Sequence, residues 1–495
     1  VPVVQSIDYL AIGPPLVLAL TALAVLLADT FAPGHRHALA SAGALGGVGL
    51  ALAATVALAV SELPRRTFCV PGACSYAVDQ FTVLFQLVLL LTGGVVLLLA
   101  RGEVRDTRLP VGEFYFLVLA ALTGALALTA ARDLVTLVVC LEVLSLPVFA
   151  LVALRRYDGR SAEAGLKMFL VSVVSTAVML FGISLVYGVT GSMFLERIAP
   201  ALDGPGLPRA VAGAGIVLVL VGFGFKVSAV PFHFWAPDTY AGAPIAVAGL
   251  LAVVSKTAGF AGLVLVLTVG FGPFAPVWGP PVAVLSAATM TMGNLVAARQ
   301  RSALRLLAWS SIAQAGYILA PLAALSTRPG GDTARELIGA TVGYVAIYSV
   351  MTVGAFAVVA AVGWIGERGG GLLDDYRGLA RSRPLLAAAF AFFLACLAGL
   401  PPGLAGLFAK VFVFRATVAG GYGWLAALMV VNTVIGLYYY LAWAARLFAP
   451  APKPARTIAP ARAPVITAVV AAALGTAVLS LAPQLVLNFA PLTGG

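Results

Sequence analysis

Gly224-Phe-Lys226-Val-Ser-Ala-Val-Pro231-Phe-His233-Phe-Trp-Ala-Pro237 follows an apolar run and sets a lysine, a histidine and two prolines where a spanning helix would otherwise continue. Proline removes a backbone donor and clashes with the preceding turn, so the helix breaks here and leaves carbonyls that need a polar or hydrated neighbour. A second break, Gly399-Leu-Pro401-Pro402-Gly403, interrupts another apolar run, and Lys410 follows it closely. These two stretches imply an all-α polytopic membrane protein with interrupted helices.

Working outward, the chain has 495 residues, 61% hydrophobic and 10% charged, with a mean hydropathy of +1.05. Water is not its main solvent. Apolar runs of about 20 residues, enough to cross ~30 Å of hydrocarbon, recur from Leu10 to Leu487. The expected spans are 9–29, 38–60, 77–100, 110–131, 133–154, 162–188, 210–229, 243–270, 277–298, 302–324, 334–363, 384–419, 421–447 and 462–490, which makes fourteen transmembrane helices. The breaks fall in helices 7 and 12. An offset of five is odd, so two five-helix units, helices 4–8 and 9–13, are expected to cross the membrane with opposite polarity as inverted repeats. The resulting divisions are 1–109 for helices 1–3, 110–270 for the first repeat, 271–447 for the second, and 448–495 for the C-terminal loop and helix 14. Breaks at matching places of inverted halves point to an ion path near the midplane, and the competing reading is that Gly-Pro kinks only shape helix packing. The first run lacks a basic flank and a small-residue cleavage site, so it reads as a retained helix, not a signal peptide.

The formal net charge is +11, but the basic residues are scattered through short loops, which argues against nucleic acid as a partner. With both termini on the outer side, the inner gaps hold eighteen Lys and Arg and the outer gaps eight. That bias fits the positive-inside rule. The four cysteines show no CxxC or cluster-binding spacing, and neither GxGxxG after a strand nor GxxxxGK[ST] occurs, so no cofactor is expected in this chain. Cys69 and Cys74 flank Val-Pro-Gly-Ala in an outer gap, where a tight turn and an oxidising compartment make them a disulfide candidate.

Four basic residues fall within apolar stretches: Lys167, Lys226, Lys256 and Lys410. Among 19 acidic residues, Glu142 alone sits well inside an expected helix, in Val138-Val-Cys-Leu-Glu142-Val-Leu-Ser-Leu-Pro147. Each ionised side chain at mid-membrane opposes insertion by ~2.5–3.5 kcal/mol. The bland explanation is a set of buried salt bridges, yet such pairs are often no more stabilising than apolar substitutes. Proton relay suits these residues better. Burial disfavours the charged form and pairing favours it, so making or breaking one Glu–Lys contact switches the lysine between charged and neutral. Glu142 and Lys226, on consecutive odd helices at similar depth, are expected side by side. Lys167, near the inner start of helix 6, fits either the relay or a snorkelling position at the interface. His233 is a candidate proton shuttle or a hydrogen-bonded structural group. Tyr438, Tyr439 and Tyr440 fit either a wet path or aromatic packing.

The stretch from Gly224 to Pro244 resembles the seventh-helix signature of the antiporter-like subunits of respiratory complex I, the proton-pumping NADH:quinone oxidoreductase. Similar stretches are Leu304-Arg-Leu-Leu-Ala-Trp-Ser-Ser-Ile-Ala-Gln314-Ala-Gly-Tyr317, Asp375-Tyr-Arg-Gly-Leu-Ala380, Leu397-Ala-Gly-Leu-Pro-Pro-Gly403 with Phe408-Ala-Lys410, and Ile435-Gly-Leu-Tyr-Tyr-Tyr440. Within that family, Pro237-Asp-Thr-Tyr-Ala-Gly-Ala-Pro244 resembles the subunit N version, whereas subunits L and M typically carry a histidine-containing Asp-Ala-His form.

The resemblance implies a translocase subunit in an electron-transport chain, in which Glu142 and Lys226 form the paired gate, Lys256 the central relay and Lys410 the terminal lysine of the second half-channel. It implies subunit M as neighbour on one side and the small subunits leading to the quinone module on the other, with NADH, FMN, iron–sulfur clusters and quinone bound by partner subunits. One departure stands out: the family commonly has a histidine in helix 10 where this chain has Gln314, which orders water but does not titrate. Gln314 is therefore expected to act through water. The rival readings are a subunit of a related cation/proton antiporter or membrane-bound hydrogenase, and an inactive membrane scaffold.

The charge bias predicts that loops 155–161, 299–305 and 368–383 face the cytoplasm. Single cysteines placed in them should resist an impermeant reagent added outside intact cells, and labelling there would overturn the topology.

Overall fold

In the computed structural model, residues 6–31, 36–107, 109–155, 157–327, 330–362, 370–451 and 462–487 are described. Thirteen helices among them are long and apolar enough to cross a membrane. In chain order they are α1 (Gly13–Phe31), α2 (Arg36–Ala59), α3 (Gln80–Thr107), α4 (Val111–Ala130), α5 (Leu134–Val152), α6 (Gly159–Thr190), α7 (Arg209–Lys226), α8 (Ile245–Gly270), α9 (Ala275–Ala297), α10 (Ala303–Leu325), α11 (Gly331–Val362), α13 (Gly423–Phe448) and α14 (Ala463–Leu481). The expected twelfth span is two shorter helices, α12a (Pro384–Ala398) and α12b (Leu404–Ala419). The chain is thus an all-α polytopic membrane protein.

Most boundaries agree with the sequence pattern to within a few residues, but α3 continues to Thr107 and carries Arg101 and Arg105, which were assigned to an inner gap, on its final turns. Long basic side chains let a helix run past the apolar core while their charges reach water. Arg108, Arg156, Arg328, Arg368, Lys453, Arg456 and His35 lie outside the described residues.

An antiparallel hairpin, β1 (Arg65–Val70) and β2 (Ala73–Val78), was not expected from the sequence. Thr67-Phe68-Cys69-Val70 supplies β-favouring side chains, and Gly72, at φ 80°, completes the turn. Cys69 and Cys74 face each other across the ladder and are joined by a disulfide. Arg132 N–H donates to Ser75 O at 2.8 Å, and the Arg132 guanidinium pairs with Asp79 at 2.9 Å, both side chains buried. These bonds fix the hairpin to the α4–α5 connection. If the disulfide is the native state, non-reduced, alkylated protein should yield no alkyl label on Cys69 or Cys74 by mass spectrometry; two labelled thiols would refute it.

Helices α8, α10 and α11 are buried on nearly every face and form the centre of the body, with α1, α2, α6 and α14 at its edge. Lys256, Gln314 and the tyrosines of α11 therefore lie in its interior. α9 and α10 approach backbone to backbone. A Cβ on Gly316 would stand 2.4 Å from the Met290 nitrogen, and one on Gly293 would stand 2.5 Å from the Ala313 nitrogen. Small residues permit such contacts in apolar surroundings, where packing carries much of the association energy. Gly316→Ala should therefore cost about 1–3 kcal/mol by overpacking and lower the thermal midpoint of the purified protein. Gly46→Ala, with nothing within 4 Å of the added methyl, is the control that should leave it unchanged.

Candidate proton-relay site

α7 ends on Lys226 itself. Ser228 N–H donates to Phe225 O at 3.0 Å and Ala229 N–H to Gly224 O at 2.8 Å, with Ser228 in the left-handed region at φ 59°. α12a ends the same way: Gly399 N–H donates to Cys396 O at 3.0 Å and Leu400 N–H to Ala395 O at 3.0 Å, with Gly399 at φ 80°. This is the Schellman arrangement, and Pro231 and Pro402, each three positions after the left-handed residue, keep the helix from resuming. The last carbonyls of each half-helix form the negative end of its dipole, where a cation is favoured.

A lysine stands near each break, but only Lys410 meets such a carbonyl. Lys226, buried, donates from Nζ to Ser145 Oγ of α5 at 2.8 Å. Lys410 reaches from α12b across the second break and donates to Ala398 O at 2.6 Å, with its Nζ 5.5 Å from the centre of the Tyr317 ring. A Cβ at position 399 would lie 2.9 Å from Lys410 Cδ, so Gly399 provides room for the lysine as well as the positive φ.

Lys256 is placed differently. It follows the π-helical turn Leu251–Ser255 within α8, a local widening that recurs at functional sites. Its Nζ donates to Ser311 O of α10 at 2.7 Å, while the turn's Ala252 O accepts from Tyr348 OH at 3.1 Å. The stem of Lys226 crosses α8 at Gly259, where a Cβ would lie 2.9 Å from Lys226 Cγ. Gly259 is one helical turn from Lys256, so the stem of Lys226 passes α8 one turn away from Lys256.

Glu142 does not form the expected direct pair with Lys226. Its carboxylate is half-buried and accepts from Thr176 Oγ1 of α6 at 2.8 Å, and no ion pair within 4.0 Å joins it to Lys226 among the described residues. The helix geometry explains this: Glu142 faces α6, and Ser145, one turn farther along α5, presents the hydroxyl that Lys226 takes. Glu142 and Lys226 are thus linked through one turn of α5.

Lys167 lies outside this series. It is half-exposed and bridges Glu163 at 2.7 Å and Asp238 at 3.0 Å, and Arg305 meets the other Asp238 oxygen at 2.6 Å. Here the snorkelling reading describes the geometry better than the relay reading. His233 is buried in the turn after α7, with its ring centre 5.2 Å from that of Trp309 and its Nδ1 without a protein partner. Ser228 Oγ and Thr239 Oγ1, near the same break, are likewise buried without a partner. Gln314 bonds directly to neighbouring groups, contrary to the expectation of water alone: Nε2 donates to Leu397 O and to the Tyr440 hydroxyl oxygen, each at 3.2 Å, and Oε1 accepts from Tyr344 OH at 2.6 Å. Of the three consecutive tyrosines, Tyr439 and Tyr440 are buried and Tyr438 is exposed.

The pattern that defines the NADH:quinone oxidoreductase/Mrp antiporter transmembrane family matches residues 131–436, which hold Glu142 and the three buried lysines. The chain belongs to this family. NADH-quinone oxidoreductase subunit N 2 of Streptomyces griseus subsp. griseus is 52% identical over 99% of this chain and 94% of its own length. Among solved structures, a chain of respiratory complex I from Thermus thermophilus with bound aureothin is 33% identical, covers 96% of this chain and 98% of its own, and has a TM-score of 0.78. A chain of the Mrp complex from Dietzia sp. shares the fold at a TM-score of 0.84 and 22% identity, covering 98% of this chain and 96% of its own.

Sequence reasoning missed Ser145, Thr176, Ser310 and Tyr344. Serines, threonines and tyrosines are unremarkable in membrane helices, and the one available signal was spacing: Ser145 stands one turn from Glu142, and Ser310 four residues from Gln314.

Proposed function

We propose that this chain is a proton-translocating antiporter-like subunit of a bacterial NADH:quinone oxidoreductase, the subunit N position of complex I. In this reading it works in the inner membrane with both termini outside, driven by redox chemistry in partner subunits that bind NADH, FMN, iron–sulfur clusters and quinone. Subunit M would lie on one side and the small subunits near the quinone module on the other. The observation that carries the reading is the lateral series Glu142, Ser145, Lys226, Lys256 and Lys410, in which each lysine ammonium rests on a neutral oxygen. A neutral acceptor stabilises the ammonium less than a carboxylate does, so a modest change in surroundings transfers its proton. The matching endings of α7 and α12a support two inverted units, helices 4–8 and 9–13, each contributing one break to the path. His233, with the unpartnered Ser228 and Thr239 beside it, is suited to receive protons from the inner side through water.

The relatives named subunit N favour complex I over a cation/proton antiporter or a membrane-bound hydrogenase, and the subunits that co-purify with the chain decide among them. The series of buried ionisable groups argues against an inactive scaffold.

Glu142 acts in this scheme by approaching Lys226 when α5 or α7 shifts, which draws the ammonium from Ser145. In fully assembled, reconstituted complex, Lys226→Ala should lower proton translocation roughly tenfold or more, the scale of losing a positioned proton-transfer group. Glu142→Gln should impair it more than Glu142→Asp, and Lys167→Ala should have less effect than either Lys226→Ala or Glu142→Gln. Proton uptake and NADH oxidation measured together check this, and normal pumping by both Glu142→Gln and Lys226→Ala would leave the residues as structural groups only.

A further inference from the structure

Between Lys256 and Lys410 the middle of α10 offers no lysine, histidine or carboxylate; it offers Gln314 within a connected set of hydrogen bonds. Gln314 Nε2 donates to Leu397 O and to Tyr440 at 3.2 Å, Tyr344 OH donates to Gln314 Oε1 at 2.6 Å, and the Tyr440 hydroxyl also bonds Ser310 Oγ. All four side chains are buried. A backbone carbonyl only accepts, so the amide must turn its NH2 to Leu397 O and its oxygen to Tyr344. Tyr440 therefore receives an N–H and keeps its own proton and one lone pair for Ser310 and a further neighbour.

The two ends of this set adjoin the anchors of the two lysines. Ser310 precedes Ser311, whose carbonyl holds Lys256, and Leu397 precedes Ala398, whose carbonyl holds Lys410. Ser311 Oγ turns instead to Tyr348, at 2.8 Å, and to Tyr240, at 3.5 Å.

We propose that Ser310 and Tyr440 form a hydroxyl link that passes the proton between Lys256 and Lys410, and that Gln314 is the positioning residue that holds the Tyr440 oxygen in line. The proposal rests on the lysine relay described above. As a proton reaches Ser310 Oγ, the existing Ser310 O–H bond breaks toward the Tyr440 oxygen, and Tyr440 releases its own proton to a water on the Lys410 side. Each oxygen gains one O–H bond and loses one, so neither side chain changes its charge. The Gln314 N–H stays on the phenol oxygen throughout and fixes the direction of its remaining lone pair and O–H, a fixed donor that orients the oxygen. An amide cannot pass the proton on without leaving its neutral form, which assigns transfer to the hydroxyls and orientation to Gln314.

The test is proton translocation per NADH oxidised in reconstituted, fully assembled complex. Tyr440→Phe and Ser310→Ala should each lower it roughly tenfold, as Lys256→Ala should, whereas Ser310→Thr restores it and Tyr438→Phe, on the exposed face, leaves it unchanged. Gln314→His should add an inflection near pH 6–7 to the transport profile that the native protein lacks, since an imidazole in the link titrates there. Loss in Lys256→Ala with native transport in Tyr440→Phe and Ser310→Ala would overturn the link and leave the lysine relay standing. Native transport in Lys256→Ala would overturn the relay itself. Where Tyr440→Phe fails to assemble, Ser310→Ala against Ser310→Thr decides, because a methyl-bearing hydroxyl keeps the link and a bare methyl does not.

Discussion

A helix that ends inside an apolar body leaves carbonyls with no water to meet, and the organisation of this protein follows from how those carbonyls are satisfied. At α12a the Schellman bonds use the oxygens of Ala395 and Cys396, and the next two, Leu397 and Ala398, go to Gln314 and Lys410. At α7 the ending falls on a lysine, whose ammonium turns to a serine hydroxyl on the adjacent helix. Backbone groups cannot be left unpaired in hydrocarbon surroundings, and Lys410 is long enough to reach across the second break to one of them.

The chosen acceptors give the interior its character. A lysine held against a carboxylate would be an ion pair, as in the solvent-accessible cluster of Lys167, Glu163, Asp238 and Arg305 at the start of α6. Serine hydroxyls and main-chain carbonyls instead hold the three buried ammonium groups by single contacts. The half-buried Glu142 is kept apart from Lys226 by Thr176 and Ser145, within one turn of joining it. The contrast between surface braces and interior single contacts separates what fixes the body from what can change within it.

Fixing the body falls to bonds at its two ends and to close packing in the middle. At one end of α3 the disulfide-closed hairpin and the buried Asp79–Arg132 pair tie it to the start of α5. At the opposite end of α3, Glu103 accepts from the Ile245 and Ala246 N–H groups, each at 2.9 Å, and pairs with Arg155. That carboxylate caps the free donors at the start of α8, the helix that carries Lys256, after Pro244 has interrupted the chain. The glycine contacts between α9 and α10 hold the Gln314 helix at a fixed distance.

The amino-acid sequence alone determined the membrane-spanning class, nearly all the helices and both breaks, because hydrocarbon solvent admits long apolar helices and proline disfavours their continuation, although α5 and α10 run on past Pro147 and Pro321. It also picked out Glu142, Lys226, Lys256 and Lys410, since an ionisable group in an apolar run is conspicuous at any helix rotation. Only the tertiary structure decided which oxygen each lysine meets, that Glu142 turns to Thr176, that Lys167 joins a surface cluster, and that Gln314 bonds two tyrosines and a carbonyl. Those outcomes depend on the rotation and close approach of helices far apart in the chain. A serine or tyrosine in an apolar span gives no sign of its partner until the facing helix is in place.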